Sequence, residues 1–185
     1  MKRILGKTLL VAYVVCDKPL TQSTLNTLFK EITLLFRREG VLTQVIRVEA
    51  FISPRQVVSA CVHMLVNTSS GRRICELPLN ELLCYLAATR QIGEAIERVG
   101  LKPGHKEFVA VLIAENEEKG RTAFKKLLNV VKGREKPVKS IKPDLNKLSL
   151  IYDVSDLELN SVSSSNPLEA IEKLVLEKIA TFTLS

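Results

Sequence analysis

The residues most suited to catalysis or metal binding are few and scattered. His63 and His105 are the only histidines, and neither has a second histidine or a cysteine at the spacing of a metal motif. The chain also lacks a glycine–serine–glycine nucleophile motif and a glycine-rich phosphate loop. We therefore expect no enzyme activity, with no catalytic residue, no metal and no cofactor. The alternative is a small enzyme whose site is assembled from residues distant in sequence.

The four cysteines are another possible source of chemistry. Cys16, Cys61, Cys75 and Cys84 form no CxxC pair, and each lies in an apolar context. This spacing argues against a zinc site, so we interpret them as buried free thiols. One internal disulfide is the alternative if the source is a hyperthermophile.

Charge is distributed unevenly along the chain, whose net charge is +7. Residues 1–75 and 132–147 are basic, residues 76–131 are neutral, and residues 148–185 are acidic. Such asymmetry favours an anionic partner, and nucleic acid is the leading candidate. Arg72 and Arg73, directly after Gly71, form the most concentrated basic turn. Further candidates for the same side of the molecule are Arg55, Arg37, Arg38, Arg90 and Lys102. The alternative is that these are solvated surface charges.

Apolar spacing and capping residues predict the elements that position these side chains. Asn166 and Pro167 are typical of a helix start, and Ser53, Pro54 and Gln56 indicate a capping box. We predict strands over residues 8–16, 41–48 and 108–114, and helices over 21–39, 53–67, 117–131 and 166–181. We further predict a short extended segment over 72–77, helix or strand over 145–152, and a turn over 161–165. A basic loop is predicted over about 132–147, and within it residues 132–142 are a linker or flexible loop.

Two short helices are predicted in residues 78–100. Leu79, Leu82, Leu83 and Leu86 form one apolar stripe, and Ile92, Ala95, Ile96 and Val99 form another. Thr89 is the predicted cap of the second helix, and Gly100 its stop. Two such helices at a sharp angle often cannot bury both stripes in one core. A stripe left exposed would be a partner-binding surface, and the alternative is that both stripes belong to the core.

These elements predict an α/β (α+β) fold in a single domain spanning residues 1–185. A mixed central sheet would be packed by several helices, the last of them the acidic helix at about 166–181. The apolar runs are too short to span a membrane. Lys2 and Arg3 precede an apolar run that is too short for a secretory signal and lacks a cleavage site. We expect a cytoplasmic protein without a membrane partner.

The central sequence RRICELPLNELLCYLAATRQIGEAIERVGL, residues 72–101, resembles a family signature. It is similar to the kinase-binding regulatory subunit of the KEOPS complex, the PRPK-binding-protein family, in its archaeal type. The resemblance extends to SPRQVVSACVHML upstream and to FVAVLI, LSLIYDV and NPLEAIEKLVLEKI downstream. The break between the two helices, AATRQ, departs from the serine-plus-asparagine form frequent in the family.

This resemblance implies a non-catalytic subunit that binds and stimulates the KEOPS kinase/ATPase. It also implies recruitment of tRNA, including its 3′ CCA end, for threonylcarbamoyladenosine modification next to the anticodon. Other KEOPS subunits would be reached through the kinase. Transferred to this sequence, the kinase-facing residues are Leu83, Leu86, Ile92 and Ile96, and the tRNA-binding residues are Arg72, Arg73, Ile74, Arg55 and Arg90. The alternative partner class is RNA in general, without a protein partner.

Overall fold

The structure, a computed structural model, describes residues 1–181, and the chain divides into two compact units. The sheet unit comprises Met1–Val48 and Leu101–Ile141. The helical unit comprises Glu49–Gly100 and continues from Lys142. Eight α-helices and five strands occur within residues 1–181, which confirms the predicted α+β class. The assignment of the whole chain to one domain stays a prediction.

The sheet unit is built on β2 and β4, which pair along most of their length. Its five strands are β1 (Lys2–Ile4), β2 (Lys7–Cys16), β3 (Leu42–Arg47), β4 (Glu107–Ala114) and β5 (Gly133–Lys136). Their order is β1-β2-β4-β3, β5 also pairs with β2, and all four pairings are antiparallel. β4 is buried along almost its whole length, since strands flank it on both sides. The three predicted strands are confirmed to within two residues.

Two helices pack on this sheet, α1 (Gln22–Glu39) and α5 (Glu117–Val131). Both begin with a side-chain cap: Thr21 Oγ1 accepts from the Thr24 N–H at 3.1 Å, and Asn116 Oδ1 accepts from the Lys119 N–H at 2.9 Å. Gly40 ends α1 with φ 66°, a left-handed conformation that glycine adopts without steric cost. The two predicted helices are confirmed.

The predicted flexible basic loop at about 132–147 is wrong over much of its length. Gly133–Lys136 forms β5, which pairs with the Tyr13–Cys16 part of β2, and Val138–Ser140 forms a 3₁₀ turn. The sequence GREK carries no alternating apolar pattern, because this short edge strand is largely exposed. β1, the hairpin partner of β2, was not predicted for a similar reason: it has only three residues, two of them exposed.

The helical unit contains the other six helices. They are α2 (Pro54–Ser69), α3 (Pro78–Ala87), α4 (Ile92–Val99), α6 (Leu145–Tyr152), α7 (Asp156–Ser161) and α8 (Pro167–Thr181). α2 packs on α3 and α8, and α3 also packs on α4. The buried hydroxyl of Tyr152 donates to the Ala50 carbonyl at 2.7 Å and accepts from the Gln56 side chain. This network joins the two sequence segments of the unit in its interior.

Several local predictions in the helical unit are corrected. Residues 74–77 form bends rather than the predicted extended segment. Of the two alternatives for residues 145–152, the helix is the one observed. Ser53 caps α2 as predicted, but the Gln56 amide oxygen accepts from the Ile52 N–H at 2.9 Å, so the capping box is not formed. Gln91, not Thr89, is the N-cap of α4. No helix within residues 1–181 combines the length and apolar composition needed to cross a bilayer.

Candidate functional site

The basic turn, residues 71–75, lies between α2 and α3 in the helical unit. Arg72 and Arg73 are exposed, and Ile74 and Cys75 are half-buried. Gly71 has φ 73°, and the next backbone N–H, that of Arg72, donates to the Asn67 carbonyl at 2.9 Å. The end of α2 thus fixes the start of the turn, and two adjacent guanidinium groups are presented to solvent.

Glu81 holds the other end of the basic turn. One of its carboxylate oxygens, Oε2, accepts from the N–H groups of Ile74 (2.9 Å) and Cys75 (2.6 Å). Glu81 is fully buried in the first turn of α3, where the helix dipole favours a negative charge. Its other oxygen, Oε1, has no hydrogen-bond partner in the described part of the chain. These two N–H groups are therefore already occupied, and the exposed arginine side chains are the charged donors that the turn offers to an anionic ligand.

The remaining predicted RNA-contacting residues lie elsewhere in the helical unit. Arg55 is in the first turn of α2, a helix of 16 residues that spans about 24 Å, so it is far from Arg72. Its guanidinium pairs with Glu172 at 3.3 Å although its side chain is 73% exposed. Arg90 is exposed in the segment between α3 and α4. The structure therefore brings together Arg72, Arg73 and Ile74 but not Arg55.

The two apolar stripes predicted for residues 78–100 have different surroundings. Leu83 and Leu86 on α3 are 7% and 0% exposed, so these side chains belong to the core. On α4, Ile92 is half-buried and Ile96 is 48% exposed. Since they are four residues apart, Ile92 and Ile96 lie on one face of α4. Of the four predicted kinase-facing residues, Ile92 and Ile96 are therefore the two with accessible side chains, and Leu83 and Leu86 are buried in α3, which packs on α4.

The sequence patterns missed two exposed leucines. Leu150 on α6 and Leu157 on α7 are 83% and 84% exposed. Leu150 also lines a groove of about 830 Å³ formed by residues of α6, α7 and α8. Its charged lining residues include Asp153, Glu158 on α7 and Lys178 on α8. The signal for α7 was present: Ser155 and Glu158 form a capping box in the sequence SDLE.

The two units differ strongly in charge. The sheet unit contains 18 Lys and Arg against 8 Asp and Glu, which gives +10. The helical unit contains 9 Lys and Arg against 12 Asp and Glu, which gives −3. Together the two units give the net charge of +7. The basic turn is therefore a local positive feature of an acidic unit, and most positive charge lies in the other unit.

The histidine, cysteine and carboxylate side chains within residues 1–181 are the candidates for metal binding. No three His, Cys, Asp or Glu residues in this range are arranged to hold a metal ion. His105 accepts the Lys102 N–H at its Nδ1 (2.8 Å), a local turn contact. Burial raises the pKa of the Cys61 and Cys84 thiols well above their ordinary value, so both are protonated at neutral pH.

Exposed apolar side chains and a fixed basic turn are typical of a protein that acts by binding other molecules. Residues 23–182 match the family described as kinase binding protein CGI-121. The chain belongs to this family of kinase-binding proteins, and the family resemblance of its central signature is confirmed. A comparison with curated protein sequences found no match. The archaeal type stays a prediction.

Proposed function

We propose that the protein is a non-catalytic accessory subunit of the KEOPS complex. It binds and stimulates the KEOPS kinase/ATPase and recruits tRNA, including its 3′ CCA end, for threonylcarbamoyladenosine modification next to the anticodon. The observation that carries the proposal is the match to a kinase-binding family over residues 23–182. Other KEOPS subunits are reached through the kinase, and the complex works in the cytoplasm.

The proposed kinase-binding surface centres on α4. Ile92 and Ile96 share one face of this short helix, and Leu83 and Leu86 lie in the buried helix that packs against it. When a partner removes half-exposed apolar side chains from water, their burial stabilises the complex. We assign Ile92 and Ile96 to direct contact, and Leu83 and Leu86 to support of α4.

The Ile96→Glu variant tests the kinase surface. Its affinity for the purified KEOPS kinase is measured by titration calorimetry and compared with that of the parent. We expect affinity to fall at least tenfold, because a charge replaces a contact that is desolvated in the complex. Leu34→Glu is the matched control: Leu34 is 40% exposed on α1 in the sheet unit. Both variants should keep the circular dichroism spectrum of the parent. Equal affinities for the parent and a folded Ile96→Glu variant would remove α4 from the interface.

The proposed tRNA contact rests on Arg72 and Arg73. The Asn67 carbonyl and the Glu81 carboxylate hold the backbone on either side of them, so RNA binding needs to order mainly the arginine side chains. Arginine binds phosphate through paired N–H donors, and such contacts release counterions. Ile74, half-buried beside them, supplies an apolar contact, and Arg55 and Arg90 are assigned to more distant parts of the same RNA.

The test of the tRNA site is double charge reversal, Arg72→Glu with Arg73→Glu, followed by tRNA binding at several salt concentrations. We expect at least a tenfold loss at low salt and a salt slope smaller by roughly 1 to 2. The comparison variant is Arg37→Glu with Arg38→Glu, which places the same charge change in the basic sheet unit. Loss of binding only in this second variant would transfer the site to the sheet unit. A tRNA lacking its CCA end distinguishes end recognition from general phosphate binding.

A further inference from the structure

Cys75 and Cys84 have neighbouring sulfur atoms. Their Sγ atoms are 3.6 Å apart, and both are free thiols. Cys75 is half-buried in the basic turn, whereas Cys84 is fully buried in α3. Cys16 and Cys61 are also buried, and no contact between them and another sulfur is found among residues 1–181. Among the cysteines, Cys75 and Cys84 therefore combine neighbouring sulfur atoms with partial access from solvent at Cys75.

We propose that Cys75 and Cys84 form an oxidation site, at which an intramolecular disulfide ties the basic turn to α3. A disulfide requires the two sulfur atoms to approach by about 1.5 Å, a distance within reach of side-chain rotation and a small shift of the turn. The turn is already held to the same helix, because the Cys75 N–H donates to Glu81, three residues before Cys84. Oxidation thus adds a covalent bond beside an existing hydrogen bond.

The reaction is a thiol–disulfide exchange with a low-molecular-weight disulfide. The Cys75 thiolate attacks one sulfur of this oxidant, which forms a mixed disulfide and releases one small thiol. The Cys84 sulfur then attacks Cys75 Sγ, which forms the internal disulfide and releases the second small thiol. The two protons lost by the cysteines end on the two released thiols, and the oxidant gains both electrons. Burial raises the pKa of each cysteine, so the exchange is slow at neutral pH.

The consequence is a change in the mobility of the turn. The disulfide closes a loop from residue 75 to residue 84 and so reduces the freedom of the unfolded chain. It also restricts the backbone next to Arg72 and Arg73 in the folded protein. Oxidised protein should therefore melt at a temperature higher by roughly 5 °C, and a reductant should reverse the shift. This inference is independent of the kinase and tRNA assignments.

The test is incubation of the folded protein with glutathione disulfide, then acid quench, alkylation of free thiols and peptide mapping. Trypsin cleaves after Arg73 and Arg90, so one peptide contains Cys75 and Cys84 and no other cysteine. Without reduction, this peptide should be unalkylated and lighter by two hydrogen atoms than the reduced, unalkylated form. A second digestion after Glu76 and Glu81 separates the two cysteines, so only the disulfide keeps the fragments joined.

The Cys75→Ser variant should lose this linkage, whereas Cys61→Ala is the matched control and should keep it. Mapping of the parent protein needs no variant to fold, so the inference stays testable if a substitution destabilises the chain. A stable glutathione adduct on Cys75, a linkage that involves Cys16 or Cys61, or complete alkylation of the peptide would each overturn the proposal.

Discussion

Glu81 is the residue that determines the shape of the basic turn. It is fully buried, and one oxygen binds two consecutive backbone N–H groups while the other has no hydrogen-bond partner within residues 1–181. A buried carboxylate has a high desolvation cost unless hydrogen bonds and a helix dipole offset it. The second half of the turn therefore depends on one side chain of α3.

We predict that Glu81→Ala lowers the free energy of unfolding by about 3 kcal/mol, because it removes two hydrogen bonds to a charged acceptor. Glu81→Gln should cost less, since an amide oxygen still accepts. The measurement is urea denaturation, combined with hydrogen exchange at Ile74 and Cys75, whose protection should be lost in the alanine variant. Glu76→Ala is the control, because Glu76 is exposed directly after the turn and its removal should change stability by less than about 0.5 kcal/mol.

Part of the candidate site could be predicted at the residue scale. The doubled arginine after Gly71 is visible in the sequence, and the structure confirms that both side chains are exposed. The burial of Leu83 and Leu86 could not be predicted, because the stripes of α3 and α4 have the same helical spacing. Which stripe faces inward depends on α2, which directly precedes α3, and on α8, which packs against α3 from a distant part of the chain. The separation of Arg55 from Arg72 likewise follows from the length of α2, not from its composition.

At the scale of elements, prediction succeeded where apolar periodicity and capping residues agree. α1, α5 and α8 each have both signals, and their starts were predicted to within one residue. β5 was missed because a short charged strand at a sheet edge shows no alternation. α7 was missed because its six residues are too few for helical periodicity, although its capping box was readable.

The end of α4 gives a prediction at this scale. Gly100 has φ −68°, an ordinary value, so its role is steric: a Cβ there would lie 2.4 Å from the Ile96 carbonyl oxygen. Gly100→Ala should therefore lower the free energy of unfolding by about 1–3 kcal/mol, because backbone atoms must shift. Thermal and urea denaturation measure the effect.

Gly93 provides the matched control within the same helix. A Cβ at Gly93 meets no atom within 4 Å, and the residue is exposed. Gly93→Ala should stabilise α4 by about 0.5–1 kcal/mol, since alanine has a higher helix propensity. The two glycine-to-alanine substitutions should thus change the free energy of unfolding in opposite directions. Equal effects would show that the close contact at Gly100 is relieved without cost.

At the scale of the whole molecule, the charge asymmetry was predictable only in part. The basic N-terminal half and the acidic end are visible along the sequence. The division into +10 and −3 is not, because each unit is assembled from two separated segments. A long-range attraction of anions to the sheet unit and a specific contact at Arg72 and Arg73 are therefore separable, since the first is screened by salt over about 10 Å.

The position of β4 in the sheet also determines when the protein can fold during synthesis. β4 pairs with β2 and β3, yet Thr8 meets Ala114 only after more than half of the chain has been made. β2 and β3 thus leave the ribosome without their shared partner, and such non-local pairing is slow. A fragment of residues 1–100 should lack the sheet signal in circular dichroism that the full chain shows. Until residue 114 emerges, β2 and β3 lack their shared pairing partner, and unpaired apolar strands of this kind are prone to aggregate.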